Sequence, residues 1–372
     1  MKPTIAPPLL RHLDIKPILA CNANCKPCFY RRELYKEINK TKILSIEQWD
    51  NVLSEAKELG AKELIISGGE PTLYKNLIDL IKIGKRYQMH VCVNTNGSLI
   101  TEEFAKNLVT AGLDEVRISI YSPKPKIHDE IRSFDGLWEK ATNAVRIFRK
   151  LTKKNSSFNI IAQTIIFNKN YRDLPELFQL YYELGVTTIN LSYIEGDFTK
   201  QYLLKETEIE DFKRNIIPKL MEFCALLDKP LIATAKKAVE HLYGEDIASI
   251  SEFAKGIYRP GDAGRLSCQI PKHQALILAN GDIHPCNIVE YTHEPVVGNL
   301  FMNTFSEIWQ GSKWNDFRKK PFDYCSLCPV TLHPYFAIRD RTPMWTKIIR
   351  QPLFLRGKKI VKIVLGLGKP RI

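Results

Sequence analysis

The chain has 372 residues, 44% of them hydrophobic, with nine cysteines and a formal net charge of +13. That apolar content is ample for a buried core, no run of about 18 apolar residues reads as a membrane-crossing helix, and the N-terminal MKPTIAPPLLRHLD lacks the apolar stretch of a secretion signal. Nine cysteines without an export signal point to metal binding or catalysis in a reducing cytoplasm, and away from a disulfide framework.

From residue 13 onward, short β-type runs alternate with longer amphipathic stretches. The expected strands are residues 13–20, 63–67, 90–95, 115–121, 158–167 and 187–193. Between them, stretches such as SIEQWDNVLSEAKELG and NLIDLIKIGKRY space their apolar residues three and four apart, and Gly60, Gly112 and Gly185 stand where helices should stop. This alternation implies parallel strands joined by right-handed helical crossovers. Six such units fall short of the roughly 250 residues of a complete eightfold barrel, so the expected fold is α/β, with a partial, partly open (β/α)6 TIM-like barrel over residues 1–200. Residues 201–262 read as a helical connection. Residues 263–335 read as a small second domain, where ALILANGDIHP has the pattern of a hairpin closed by Asn280-Gly281. Residues 336–372 form a basic amphipathic tail.

Chemistry-bearing residues cluster behind the strands. Cys21-x3-Cys25-x2-Cys28 follows the first strand, at the end where barrel chemistry sits. Three thiolates on one tight loop are one short of a closed structural zinc site and leave a metal or cluster with a vacant position; a zinc knuckle is the alternative on spacing alone. Ser67-Gly68-Gly69-Glu70-Pro71 follows the second strand and Asn94-Thr95-Asn96-Gly97 the third. Ser119 ends the fourth, ahead of His128-Asp129-Glu130-Ile131-Arg132.

Together these segments resemble the radical S-adenosylmethionine (radical SAM) enzymes over roughly residues 13–195. The resemblance implies that Cys21, Cys25 and Cys28 hold three irons of a [4Fe–4S] cluster, with S-adenosylmethionine on the fourth iron, and that a 5′-deoxyadenosyl radical abstracts hydrogen from substrate. It implies cofactor contacts from Gly68, Gly69, Glu70, Asn94, Thr95, Ser119 and Arg132. Arg132 could instead be a solvated helix residue, and Ser119 a strand serine satisfied in place. Two positions depart from the pattern: Pro27 stands before the third cysteine, where many members carry an aromatic residue, and Tyr121 stands where an aspartate is common.

Cys268, Cys286, Cys325 and Cys328 form a second set, and four thiolates close a site. GNLFMNTFSEIWQGSKWNDFR between them resembles the linker of SPASM and twitch domains, which implies one auxiliary [4Fe–4S] cluster; structural zinc is the alternative. His284 lies near a ligand, or on the hairpin surface. Cys92 is a candidate hydrogen donor or a packing residue, and Cys224 has no assigned role. A closed cluster suits electron transfer, so the first functional expectation is oxidation or rearrangement of a small-molecule sugar, cyclitol or other polyol. With about twenty residues before Cys21, no leader-binding domain is expected at that end, which ranks a peptide maturase or an epimerase second. A non-catalytic iron–sulfur or zinc module is the reading from another class.

A flavodoxin or ferredoxin-type reductant is the expected protein partner, and no nucleic acid is expected. The tail carries +9 of the net charge after Cys328, interleaved with apolar residues, so peripheral contact with a membrane surface is a further expectation, with packing on the barrel or reductant docking as alternatives.

Overall fold

A computed structural model of the chain describes residues 9–28, 42–153, 155, 157–194, 197–226, 250–255, 270–286 and 295–319. The six expected strands form: β1 (His12–Ile18), β2 (Glu63–Gly68), β3 (His90–Thr95), β4 (Glu115–Ser119), β5 (Asn159–Ile166) and β6 (Thr188–Tyr193). Each pairs in parallel with the next. Helices α1 (Ile46–Glu58), α2 (Leu77–Arg86), α3 (Glu102–Thr110), α4 (Pro125–Arg132), α5 (Leu137–Leu151) and α6 (Leu174–Leu184) make the crossovers.

Local signals explain the helix ends. Ser45 caps α1 by accepting from the Gln48 N–H at 3.3 Å, while Gln48 Oε1 accepts from the Ser45 N–H at 3.0 Å. Gly185 ends α6 in the left-handed region at φ +74°, a conformation that glycine adopts without a side-chain clash. The buried stripe of α1, Trp49, Val52, Leu53 and Ala56, packs on the sheet; burying one such large apolar side chain contributes about 1.5–3 kcal/mol.

The two faces of the parallel sheet differ in kind. Leu13, Ile15, Leu64, Ile66, Val91, Val93, Val116, Ile118, Ile160 and Ala162 face the helices in one buried core. Their alternates along each strand (Asp14, Lys16, Glu63, Ile65, Ser67, Cys92, Asn94, Glu115, Arg117, Ser119, Ile161 and Gln163), with Asn190 of β6, therefore line the inside of the barrel.

The hairpin at Asn280-Gly281 also forms, between β7 (Gln274–Leu278) and β8 (Asp282–His284). Its first strand lies parallel to β1, with Ile15 opposite Ile277, so the hairpin continues the barrel sheet. Among the described residues the sheet has nine strands in the order β6-β5-β4-β3-β2-β1-β7-β8-β9, the last being Gly298–Asn299. No described helix is long and apolar enough to cross a membrane. Cys268, Cys325, Cys328, the tail 336–372 and residues 227–249 of the helical connection lie outside the described residues.

Candidate active site

Three turns meet at the carboxyl ends of β1, β2 and β3. The cysteine loop leaves β1 under tight backbone constraint: Gly69 N–H donates to the Ile18 carbonyl at 3.0 Å and Glu70 N–H to the Ala20 carbonyl at 2.9 Å. A Cβ on Gly69 would stand 2.1 Å from the Ala20 oxygen and 2.4 Å from that of Leu19. Gly68 has φ +121°, and its Cβ would stand 2.3 Å from the Ile18 oxygen. The glycines thus let the protein's own cysteine loop close onto β2.

Glu70, 1% exposed, braces the same corner. Its Oε1 accepts from the Thr72 N–H at 3.1 Å, the Thr72 hydroxyl at 2.7 Å and the Thr95 hydroxyl at 2.6 Å, and Oε2 accepts from the Asn96 N–H at 2.7 Å. The carboxylate expected to meet the cofactor is therefore largely spent on tying the β2 turn to the β3 turn. Asn22, inside the cysteine loop, completes the brace: its amide donates to Ser98 Oγ at 2.8 Å, and its Oδ1 accepts from Asn96 Nδ2 at 2.8 Å. Cys21 is held between two fastened neighbours, Ala20 and Asn22.

Across the loop, Lys26 N–H donates to the Ile131 carbonyl at 2.9 Å, which brings α4 against the thiols. Arg132 there is 5% exposed, so it is no solvated helix residue. Burial works against its charge, but Cys25, Tyr121, Cys21 and Cys28 together raise its pKa. The guanidinium carbon lies 4.7 Å from the centre of the Tyr121 ring, so the tyrosine in the aspartate's place acts as a stacking platform. Ser119 lies beside the Tyr121 side chain, and His128 Nδ1 accepts the Tyr121 N–H at 3.1 Å. Burial, then Arg132, holds His128 well below the usual imidazole pKa, so it stays neutral. Asp129 accepts from the backbone N–H groups of Gly136 and Trp138 at 2.7 and 2.8 Å and fixes the entry to α5.

This corner fits an iron–sulfur cluster with a bound ligand. Its donors are three thiols, one buried, one half-buried and one exposed, where a closed zinc site takes four ligands. Among the described residues no three His, Cys, Asp or Glu side chains converge on one ion, which suits thiolates that each take a different iron. Arg132 Nε is buried without a hydrogen-bond partner among the described residues, a donor held in reserve beside the thiols.

Below the rim the inner wall is largely polar, with Ile65 and Ile161 among its charged and amide groups. Lys16 Nζ donates to both Asp14 oxygens, at 3.1 and 3.2 Å, and to Ser67 Oγ, while the Ser67 hydroxyl donates to Asp14 at 2.9 Å. On β4, Arg117 Nε donates to Glu115 Oε1 at 2.8 Å. Burial works to raise the Glu115 pKa, but the nearby His90 imidazole and the Arg117 charge outweigh it and hold the carboxyl at about 2. Burial pushes the Cys92 thiol well up, so it keeps its proton, and Sγ lies 3.7 Å from Asn94 Oδ1. Asn190 donates to Gln163 at 2.6 Å on the far wall. Sequence reading singled out Cys92, Asn94 and Ser119 here and passed over the charges. Their signal is present: Asp-Ile-Lys at 14–16 and Glu-Val-Arg at 115–117 put paired charges at alternate positions of otherwise apolar strands.

Of the second cysteine set, only Cys286 is described; it is buried just beyond β8. His284 is fully buried rather than on the hairpin surface, and its Nδ1 lies 3.0 Å from the Pro295 carbonyl. Cys224 is a core residue.

Comparison with known proteins agrees with this geometry. Residues 15–181 match the model of the radical SAM superfamily, and residues 268–329 that of an iron–sulfur cluster-binding domain, SPASM. An AdoMet-dependent heme synthase of Methanosarcina barkeri is 25% identical over 174 residues, 47% of this chain and 48% of that protein. A PqqA peptide cyclase of Granulibacter bethesdensis is 27% identical over 194 residues, 52% of this chain and 49% of that protein. These matches span about half the length of the curated relatives. Streptococcus suis SuiB bound to S-adenosylmethionine shares the fold, with a TM-score of 0.63 at 17% identity, over 87% of this chain and 72% of SuiB. So does anSMEcpe with bound AdoMet and a peptide, with a TM-score of 0.60 at 19% identity, over 86% of this chain and 87% of that one. The chain thus carries, at residues 15–181, a domain of the radical SAM superfamily, whose enzymes use a [4Fe–4S] cluster with S-adenosylmethionine, and at residues 268–329 a SPASM-type auxiliary iron–sulfur domain.

Proposed function

We propose that Cys21, Cys25 and Cys28 hold the cluster, that the braced rim seats S-adenosylmethionine, and that the substrate reaches into the polar lumen from that side. When bound together, cluster and S-adenosylmethionine supply a 5′-deoxyadenosyl radical that abstracts hydrogen from carbon. The chain's own residues do the rest. Glu70, Asn22, Thr95 and Asn96 fix the three turns relative to one another. Arg132, stacked on Tyr121, offers a buried donor beside the thiols, and Ser119 sits where the rim meets the lumen. A flavodoxin or ferredoxin-type protein serves as electron source.

The substrate proposed is a peptide that extends a polar side chain or terminus inward. The observation that carries this is the lumen, whose charged and amide groups bond one another while Arg117 keeps donors that Glu115 does not take, a surface suited to a polar guest. Supporting the peptide class, the relatives include PqqA peptide cyclases, and the shared-fold structures include SuiB bound to its precursor peptide SuiA. A polyol is the second reading, favoured by the Gln163–Asn190 amide pair, which suits hydroxyl groups.

The reconstituted, reduced protein should change the mass of a short peptide encoded beside it, with deuterium moving from peptide carbon into 5′-deoxyadenosine. Deuterium transfer from a polyol, and none from peptide, would replace the first reading with the second. Cys325→Ala/Cys328→Ala should still form 5′-deoxyadenosine while losing product, if the auxiliary cluster takes the substrate's electron.

A further inference from the structure

Among the described residues the lumen holds two cations, Lys16 and Arg117, on strands three places apart, and they are not equivalent. Lys16 Nζ spends its donors on Asp14 and Ser67. Arg117 has five donors in a planar fork and commits Nε and Nη2, at 2.8 and 2.7 Å, to one oxygen of Glu115. Its remaining donors, those of Nη1 among them, take no partner among the described residues.

Glu115, for its part, does not depend on Arg117 alone. Its other oxygen receives Asn159 Nδ2 at 3.4 Å and faces His90 Nε2 at 3.6 Å. A carboxylate so supplied anchors the guanidinium from one side and leaves the other side presented. Arg117 retains 23% side-chain exposure while its neighbours Val116 and Ile118 are buried under the helices, so that exposed surface opens on the lumen. Among the described residues the inner face carries three carboxylates: Asp14 is held by Lys16, Glu63 lies 2.6 Å from His12 Nδ1, and Glu115 is held by Arg117. Each carboxylate thus has its own cationic or imidazole neighbour, and an entering anion meets the Arg117 N–H groups that Glu115 does not take, in the geometry that binds oxyanions by two parallel hydrogen bonds.

We infer that Arg117 is the recognition residue for an oxyanion on the substrate, a carboxylate under the peptide reading on which this inference rests. Arg117 and Ser119 share the inner face of β4, one alternate position apart, which is about 7 Å along a strand. The anion thus sits one layer below the rim where hydrogen is abstracted, and the reacting carbon lies within a few bonds of it. That geometry selects an acidic side chain or a terminal carboxylate over a neutral residue of the same size. A phosphate would use the same fork.

Crystals of the full chain, reconstituted anaerobically with S-adenosylmethionine, can be soaked separately in 4-bromobenzoate, as a carboxylate, and in selenate, as a tetrahedral oxyanion. The expected result is an anomalous bromine peak next to Arg117 with the carboxylate in hydrogen-bond reach of Nη1, and loss of at least half its occupancy in Arg117→Gln. Arg117→Lys, which keeps the charge but not the fork, serves if the glutamine variant does not fold, with the same drop expected. A selenate peak alone would assign the site to phosphate rather than carboxylate and overturn the acidic-peptide inference. So would no peak at Arg117 in the unsubstituted protein, or one that persists in both variants. Formation of 5′-deoxyadenosine is measured on the same preparation. If it forms and no peak appears, this inference fails by itself; if a peak appears and none forms, the site stands and the proposed function fails.

Discussion

At the rim of the barrel, backbone lies against backbone: Gly68 and Gly69 touch the carbonyls of Ile18, Leu19 and Ala20 at distances that no side chain could share. On the inner wall a few residues below, the strands stand at ordinary sheet spacing, and side chains alone decide what the surface offers, as Arg117 does above Glu115. Under the proposed function the rim places three thiols and a cofactor, and that placement is the same whichever substrate is used. The wall has only to complement one substrate, and it can be rewritten by single side chains without moving a strand. A substitution at the rim should therefore act on cofactor and stability together, whereas one on the wall should separate them.

Gly69→Val tests the rim most severely. Its branched Cβ would meet the Ala20 and Leu19 carbonyls, backbone that cannot rotate away, at a cost of about 3 kcal/mol or more. The expected outcome is a lowered unfolding midpoint together with reduced iron content, because the atoms displaced lead straight into Cys21. An unchanged iron content would mean that the loop is not held by this contact. Glu70→Ala comes next. It strips the acceptor from four donors, and each donor left buried without a partner costs roughly 1–3 kcal/mol. S-adenosylmethionine binding should weaken roughly 10- to 150-fold as the turns lose their brace, with Glu70→Gln intermediate. Titration of the cofactor into both variants checks the order.

The difference between rim and wall also decides what could be seen in the sequence. The rim's residues are contiguous, so CNANCKPC, SGGEP and NTNG were legible as motifs, and the six strands behind them were legible because parallel strands buried against helices leave short apolar runs. The role of Glu70 was not legible. Its partners Thr95 and Asn96 come from another turn, and a carboxylate that braces reads the same as one that binds ligand. The wall contributes one or two residues per strand, and these become a surface only after registers such as Cys92 opposite Glu115 and Asn94 opposite Arg117 are fixed. Likewise the Asn280-Gly281 turn announced a hairpin, but nothing local announced that β7 would pair with β1, a contact between residues more than 250 positions apart.

On the wall, Glu115 gives a pH test. Its carboxyl is more acidic in the folded protein, at about 2 against an ordinary value of 4.5, so its contribution is whole above about pH 4.5 and is lost as pH falls toward 2. Glu115→Gln should cost up to about 3 kcal/mol at neutral pH, and the difference from the unsubstituted protein should vanish near pH 2. Iron content should be unaffected, which is the separation expected of the wall. The smallest effect is expected at Lys26, whose ammonium pairs with exposed Glu130 at 3.1 Å. Lys169 holds the same carboxylate at 2.7 Å, so Lys26→Ala should change stability by less than about 1 kcal/mol. A larger loss would show that this surface pair, and not the Lys26 backbone bond to Ile131, fastens the cysteine loop to α4.

If the radical originates at the cysteine loop, 5′-deoxyadenosine forms from S-adenosylmethionine under anaerobic, reducing conditions only while the three thiols of that loop are present. The unsubstituted protein should form it. Cys21→Ala/Cys25→Ala/Cys28→Ala should bind about four fewer irons, one cluster's worth, and form none. If the triple variant still forms 5′-deoxyadenosine, the site lies elsewhere in the chain.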